Sequence, residues 1–291
     1  LSDEERDYEY YGVVDTGSPF LTAPSSVTNV TQKTLYPTTQ EQYGESHGDI
    51  AWRKAPYLTI LGSDSTILES QNILVGVVES EKVLQESGGI FVGMIPLDDN
   101  RPSFLQQLVG GKYTSFVVNF AQNKLQLSNA PIIDVRDPDS FPLMDLQPYG
   151  PDLYHFAIDC PTFLVKQNDG TEEIIESSTL KRPVLVVLDT GLTGCIFSDS
   201  LLQELSDQKR IKRDKHYSIK GLSISLKTQN KDTLTLSSSD QYWMFSSFHL
   251  PWFYDEDQHP HIIALGCTFW NNAETLAIDT ISRRAKLSLK V

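Results

Sequence analysis

Two aspartates in this chain stand in the same tripeptide, Asp15-Thr16-Gly17 and Asp189-Thr190-Gly191, and each follows a short apolar run, Gly12-Val13-Val14 or Val186-Val187-Leu188. A given tripeptide arises by chance about once in several thousand windows, so two copies in like surroundings point to a duplicated device. Two carboxylates brought within hydrogen-bonding range cannot both ionise readily, because the second charge is repelled by the first, and the pair shares one proton over a wide pH range. The ionised member can take a proton from a water while the protonated member donates to a carbonyl, which suffices for amide hydrolysis without a covalent intermediate. That titration belongs to the pair, not to either residue.

The elements that must hold such a pair repeat as well. Both apolar runs read as buried strands that deliver an aspartate at a strand end. Phe91-Val92-Gly93 brings a glycine 78 residues after Asp15, and Ala264-Leu265-Gly266 brings one 77 residues after Asp189. Each half then closes on a hairpin-like segment, ending in Lys124-Leu125-Gln126-Leu127 or Lys286-Leu287-Ser288-Leu289. Helical patterning is confined to Pro102–Gly110, with Ser103 as cap, and to Ser198–Ile211, with Leu201, Leu202 and Leu205 at helical spacing and Ser198 or Asp199 as cap. Stretches such as Leu222-Ser223-Ile224-Ser225-Leu226 and Leu234-Thr235-Leu236 alternate as strands do. The expected class is all-β with a few short helices, built as two copies of one lobe. Pro131, Pro138, Pro142, Pro148 and Pro151, interleaved with Asp134, Asp137, Asp139 and Asp145, mark residues 131–151 as the linker between a lobe of residues 1–130 and one of residues 152–291.

With these residues in place the chain resembles the pepsin-like aspartic proteases over most of its length. Asp15-Thr16-Gly17-Ser18-Pro19-Phe20-Leu21 is similar to that family's first active-site loop, and Tyr43-Gly44 looks like its flap tyrosine and following glycine. The two apolar-apolar-Gly segments resemble the strands that pass behind each aspartate loop, and the matches fall in the family's order. The resemblance implies a bilobal fold and an aspartic endopeptidase in which Asp15 and Asp189 activate water. Thr16 and Thr190 would hydrogen-bond across the lobes, Gly17 and Gly191 would let the backbone turn tightly, and Tyr43 with Gly44 would close over an extended peptide or protein substrate. No cofactor and no metal are implied.

Departures from the family pattern refine that expectation. Ser18 can donate its hydroxyl to Asp15 and favour its ionised form, whereas the matching residue after Gly191 is Leu192, so Asp15 is expected to act as base and Asp189 to hold the proton. Losing a donor at Leu192 should raise the working pH, with Thr193 as a substitute donor. Thr22 stands where the family often has a tryptophan supporting the flap, and Glu45 and Ser46 stand where small residues are usual. Only fourteen residues precede Asp15, so the family's opening strands are expected to be absent or very abbreviated, which would expose an edge or leave it for a protein partner to cover. These departures support a second reading, a catalytically impaired scaffold acting as a binding protein or as a subunit of a larger assembly. Two carboxylates also serve glycosidases, but that class does not require matched loops on repeated lobes.

Composition bounds the partners. The chain has 291 residues, 40% of them hydrophobic, enough for each lobe to bury a core. A net charge of -14 disfavours a broad nucleic-acid surface, and no apolar run is long enough to span a membrane. Lys209, Arg210, Lys212, Arg213 and Lys215 are read as a solvated helix end. Cys160, Cys195 and Cys267 are odd in number and far apart, which leans away from a secreted, disulfide-dependent domain and toward an intracellular or organellar site. Asn29-Val30-Thr31 is a formal glycosylation acceptor. Asp255, Glu256, Asp257, His259 and His261 lack a metal-ligand spacing, and Cys195 has no base beside it.

Overall fold

The computed structural model describes residues 11–25, 30, 32–43, 46–61, 67–78, 89–96, 101–108, 113–149, 154–212, 219–228, 230, 232–238, 245–248 and 259–290. Among the described residues strands dominate, and the α-helices there are short: Phe104–Gln107, Asp199–Asp207 and Cys267–Trp270. The all-β class expected from the alternating pattern is what the chain adopts. It divides into two compact units, Leu1–Tyr113 and Thr114–Val291.

The first unit is built on a seven-stranded sheet. In spatial order it runs Gly12–Asp15, Ile90–Gly93, Leu21–Pro24, Ile67–Val78, Ser46–Leu61 and Gln32–Lys33, with Thr39–Tyr43 also pairing Ser46–Leu61. Alternating apolar residues of these strands, among them Leu21, Ala23, Ile50, Trp52, Ile73 and Val75, are buried and form the core with Phe104 and Leu105 of the helix. That helix begins where the sequence indicates: Ser103 Oγ accepts from Gln106 N at 3.4 Å and Gln106 Oε1 accepts from Ser103 N at 2.8 Å, a reciprocal capping box. It stops at Gln107, short of the expected Gly110, which lies outside the described residues.

Among its described residues the second unit holds three sheets. One runs Ala157–Asp159, Val184–Leu188, His261–Leu265, Cys195–Ser198 and Phe245–Phe248. A second pairs Glu172–Glu176, Thr162–Gln167, Ile219–Lys227 and Thr233–Ser237 in that order. The third runs Ser140–Pro142, Arg284–Leu289, Ala273–Asp279, Ser115–Asn119 and Lys124–Ser128, so it joins the two closing hairpins side by side. Their turns match, with Asn123 at φ 51° and Arg283 at φ 52° in equivalent places. The hairpin of residues 115–128, which the sequence pattern groups with the first half, therefore packs within the second unit, and the division falls at residues 113 and 114 instead of in the proline-rich stretch.

That stretch is not bare linker. Ser140–Pro142 pairs with Arg284–Lys286, Met144 bridges Ala157, and Gln147–Tyr149 forms a 3-10 turn. Asp279, fully buried, anchors its start: Oδ2 accepts from Ile132 N at 2.8 Å and Ile133 N at 3.1 Å, and Oδ1 from Ile281 N and Ser282 N at 3.0 Å each.

Each unit contains the same four-strand arrangement. In the first, the strand ending in Asp15 runs parallel to Ile90–Gly93, which is antiparallel to Leu21–Pro24, which is parallel to Ile67–Val78. In the second, Val184–Leu188 runs parallel to His261–Leu265, which is antiparallel to Cys195–Ser198, which is parallel to Phe245–Phe248. The repeat inferred from two tripeptides is thus a repeat of strand order and direction.

Candidate active site

Asp15 and Thr16 are buried at the end of the first strand. Gly17 N donates to Asp15 Oδ1 at 2.8 Å, a bond between a carboxylate and the amide two residues on that closes the turn. The loop that follows is fixed from behind by the segment after the Ile90–Gly93 strand. Gly93 N donates to Phe20 O at 3.0 Å, Met94 N to Asp15 O at 2.8 Å, Ile95 N to Ser18 O at 3.0 Å, and Phe104 N, at the start of the helix, to Pro19 O at 2.8 Å. A Cβ on Gly93 would lie 2.4 Å from Phe20 N and 2.5 Å from Pro19 C, so only glycine permits this approach.

The second loop is built alike. Gly191 N donates to Asp189 Oδ1 at 2.9 Å and Leu192 N to the same oxygen at 3.1 Å. Behind it, Gly266 N donates to Gly194 O at 2.9 Å, Cys267 N to Leu192 O at 2.7 Å and Thr268 N to Thr193 O at 3.1 Å. A Cβ on Gly266 would lie 2.3 Å from both Gly194 O and Leu192 O. The expectation that each glycine passes directly behind an aspartate loop describes both units.

Two details differ from the sequence reading. Ser18 Oγ is buried and has no hydrogen-bond partner among the described residues, so the donation to Asp15 proposed for it is not formed. Leu192, chosen as the position lacking a side-chain donor, contributes its backbone N–H instead.

Trp270 was not legible as a site residue. Its Nε1 donates to Asp189 O at 2.9 Å and Leu265 O at 3.1 Å, and its ring stacks on Phe120 from the 115–128 hairpin at 5.7 Å between centroids, 9° from parallel. The indole thereby ties the strand end bearing Asp189 to the neighbouring strand bearing Gly266, using a residue four positions past that glycine.

Tyr43 ends the strand Thr39–Tyr43 opposite Ser46; Gly44 and Glu45 lie outside the described residues. Cys160 and Cys195 are buried and Cys267 is exposed. Burial pushes the Cys160 thiol well up, with the nearby Asp159 charge adding to it, and burial does the same at Cys195, which disfavours the reactive thiolate at both. Cys267 Sγ lies 3.6 Å from Thr190 O.

The acidic and histidine residues of 255–261 divide. Asp255, Glu256 and Asp257 lie outside the described residues, whereas His261 is fully buried with Nε2 2.9 Å from Glu204 Oε2 and Nδ1 3.1 Å from Ser200 Oγ. No group of three or more metal-ligating side chains occurs among the described residues. Of the basic cluster, Arg210 pairs with Glu173 at 2.9 Å and Lys212 with Asp169, while Arg213 and Lys215 fall outside the described residues. Asn29 and Thr31 of the glycosylation tripeptide also fall outside them. Among the described residues no helix is long and apolar enough to cross a membrane.

No protein-family model matches this chain, and no curated protein matches it.

Proposed function

We propose that the chain is a bilobal, pepsin-like aspartic endopeptidase in which Asp15 and Asp189 share a proton and activate a water against a peptide carbonyl. The observation that carries this reading is the repetition of one four-strand arrangement, each copy ending a strand in Asp-Thr-Gly and pressing a glycine against the loop that follows. Two loops held so tightly from behind have little freedom to reorient on catalysis, which is what preorganised general acid and base groups require. Thr16 and Thr190, both buried, stand beside the carboxylates as structural partners. The substrate is an extended peptide, bound through its backbone under the Thr39–Leu61 hairpin.

A second reading, a scaffold of this fold that binds without cleaving, is favoured by the unpartnered Ser18 hydroxyl and by Leu192. The two are separated by cleavage of a denatured protein mixture from pH 3 to 8 with the native chain, Asp15→Asn and Asp189→Asn, each with and without a transition-state mimic of peptide hydrolysis. Cleavage by the native chain, lost about a thousandfold or more in either variant and blocked by the mimic, supports the peptidase. A folded native chain that cleaves at no pH supports the scaffold.

A further inference from the structure

Arg101 joins three segments of the first unit that are distant in sequence. Its guanidinium carbon lies 4.5 Å from the centroid of the Phe20 ring and 4.8 Å from that of the Trp52 ring, and the two rings meet edge to face at 4.9 Å and 73°. Arg101 Nη1 also donates to Thr39 Oγ1 at 3.3 Å, an oxygen that accepts from Trp52 Nε1 at 3.0 Å. Phe20 belongs to the loop after Asp15, Thr39 and Trp52 lie on the two strands of the hairpin, and Arg101 precedes the capped helix. Phe20 and Trp52 are buried and Arg101 is partly buried, so the cation meets both rings where water competes weakly.

The anchorage of Arg101 gives this contact a direction. Two residues on, Ser103 caps the helix through the reciprocal bonds with Gln106, and Phe104 N is bonded to Pro19 O in the aspartate loop. The backbone carrying Arg101 is therefore set by that loop, while its side chain grips the hairpin. From Ile50 onward the second strand is held by its ladder with Ile67–Val78, but Gln40–Tyr43 and Ser46–Asp49 pair only with each other among the described residues, and such a two-stranded end takes its position from what packs on its base.

We propose that Arg101 is a positioning residue that fixes the base of the Thr39–Leu61 hairpin to the Asp15 loop, and so sets how the hairpin closes on substrate; the second clause rests on the peptidase reading. The planar guanidinium lies over two rings and donates at the same time, a combination an ammonium cannot reproduce.

The test is amide hydrogen exchange on the native chain, Arg101→Ala, Arg101→Lys and Thr39→Val, together with kcat and KM on a peptide substrate and binding of the transition-state mimic. In Arg101→Ala, exchange over residues 39–43 and 46–52 accelerates about tenfold while residues 184–188 keep native protection. Arg101→Lys falls between Ala and native, and Thr39→Val shows a smaller change in the same direction. KM and the Kd of the mimic rise about tenfold in Arg101→Ala with kcat within about twofold of native, and Lys restores part of the loss. Unchanged exchange at the hairpin, or acceleration spread equally to residues 184–188, overturns the clamp. Accelerated exchange with unchanged KM and Kd overturns its role toward substrate. A folded native chain that neither cleaves nor binds the mimic overturns the peptidase reading and the substrate role with it, while the exchange comparison still decides the clamp.

Discussion

The Leu192 amide donates to Asp189 Oδ1 at 3.1 Å, so the residue whose side chain offers no donor supplies one from its backbone. The loop geometry, held by Cys267 N on Leu192 O, aims that N–H at the carboxylate whatever side chain the position carries. On the peptidase reading proposed above, Leu192→Thr is expected to move the pH optimum of cleavage by less than about half a unit, since the hydroxyl joins a donor already present. The check is kcat/KM against pH for the two chains. A downward shift of a full unit would show the side chain to govern the pair and would restore the expectation drawn from the missing hydroxyl.

Ser18→Ala gives the complementary result. The Ser18 hydroxyl has no hydrogen-bond partner among the described residues, so its removal breaks no bond seen there and is expected to be neutral or stabilising by up to about 1 kcal/mol. Urea unfolding at pH 7 reports it; a destabilised variant would mean that the hydroxyl is engaged in solution.

Gly93→Ala and Gly266→Ala are each expected to cost about 3 kcal/mol or more, because the added methyl would meet backbone atoms within 2.4 Å that cannot move without displacing an aspartate loop. Gly89→Ala, where nothing lies within 4 Å, is the control and should change stability little. Denaturant midpoints for the three variants separate a close-approach effect from a general loss of glycine.

Acid should weaken the second unit through Glu204 and His261. Burial lowers the His261 pKa from 6.5 against the raising influence of Glu204, and the charge of Arg182 lowers it further. Burial opposes ionisation of Glu204, yet the Lys181 amide and His261 together hold its carboxyl below the usual 4.5. Both groups bind protons more readily unfolded than folded. Their stabilisation is thus present above about pH 6.5 for the imidazole and above about 4.5 for the carboxylate, and is lost as pH falls through the folded values. Urea midpoints measured from pH 7 down to pH 4 should decline over this range. Glu204→Gln should lower the midpoint at pH 7 by the equivalent of about 2 kcal/mol and flatten the part of the decline below pH 5.

What the sequence made legible was whatever repeats or follows a local period. The paired tripeptides, the glycines behind them, the Ser103 cap and the alternating strand of Ile219–Lys227 are all signalled by neighbouring residues. Partnerships between distant strands were not. Of the two candidate caps Ser198 and Asp199, Ser198 holds the N-cap position, but its side chain makes no cap bond and instead accepts from Ile262 N at 3.1 Å, on a strand sixty-odd residues away. Thr22 stood out as a missing indole, yet Thr22 and Trp52 both pair with Gly76 from opposite sides of its strand. A Cβ there would lie 3.1 Å from Thr22 Cγ2 and 3.2 Å from Trp52 Cζ3, so a residue without a side chain leaves room for a tryptophan arriving from two strands over. No pattern within a window of ten residues encodes that exchange.

The strand Ser115–Asn119 has two neighbours in its sheet, its hairpin partner Lys124–Ser128 and the strand Ala273–Asp279, near the C-terminal end of the sequence. A ribosome therefore releases the 115–128 hairpin long before the strand that completes its pairing exists. Phe120 likewise waits for Trp270, and the Asp189 carbonyl for the same indole. Closing contacts across some 150 residues makes the search slow. Chains cut before residue 273 should accumulate as species with an unpaired strand edge and be cleared or aggregate, even though both Asp-Thr-Gly tripeptides are already present in them.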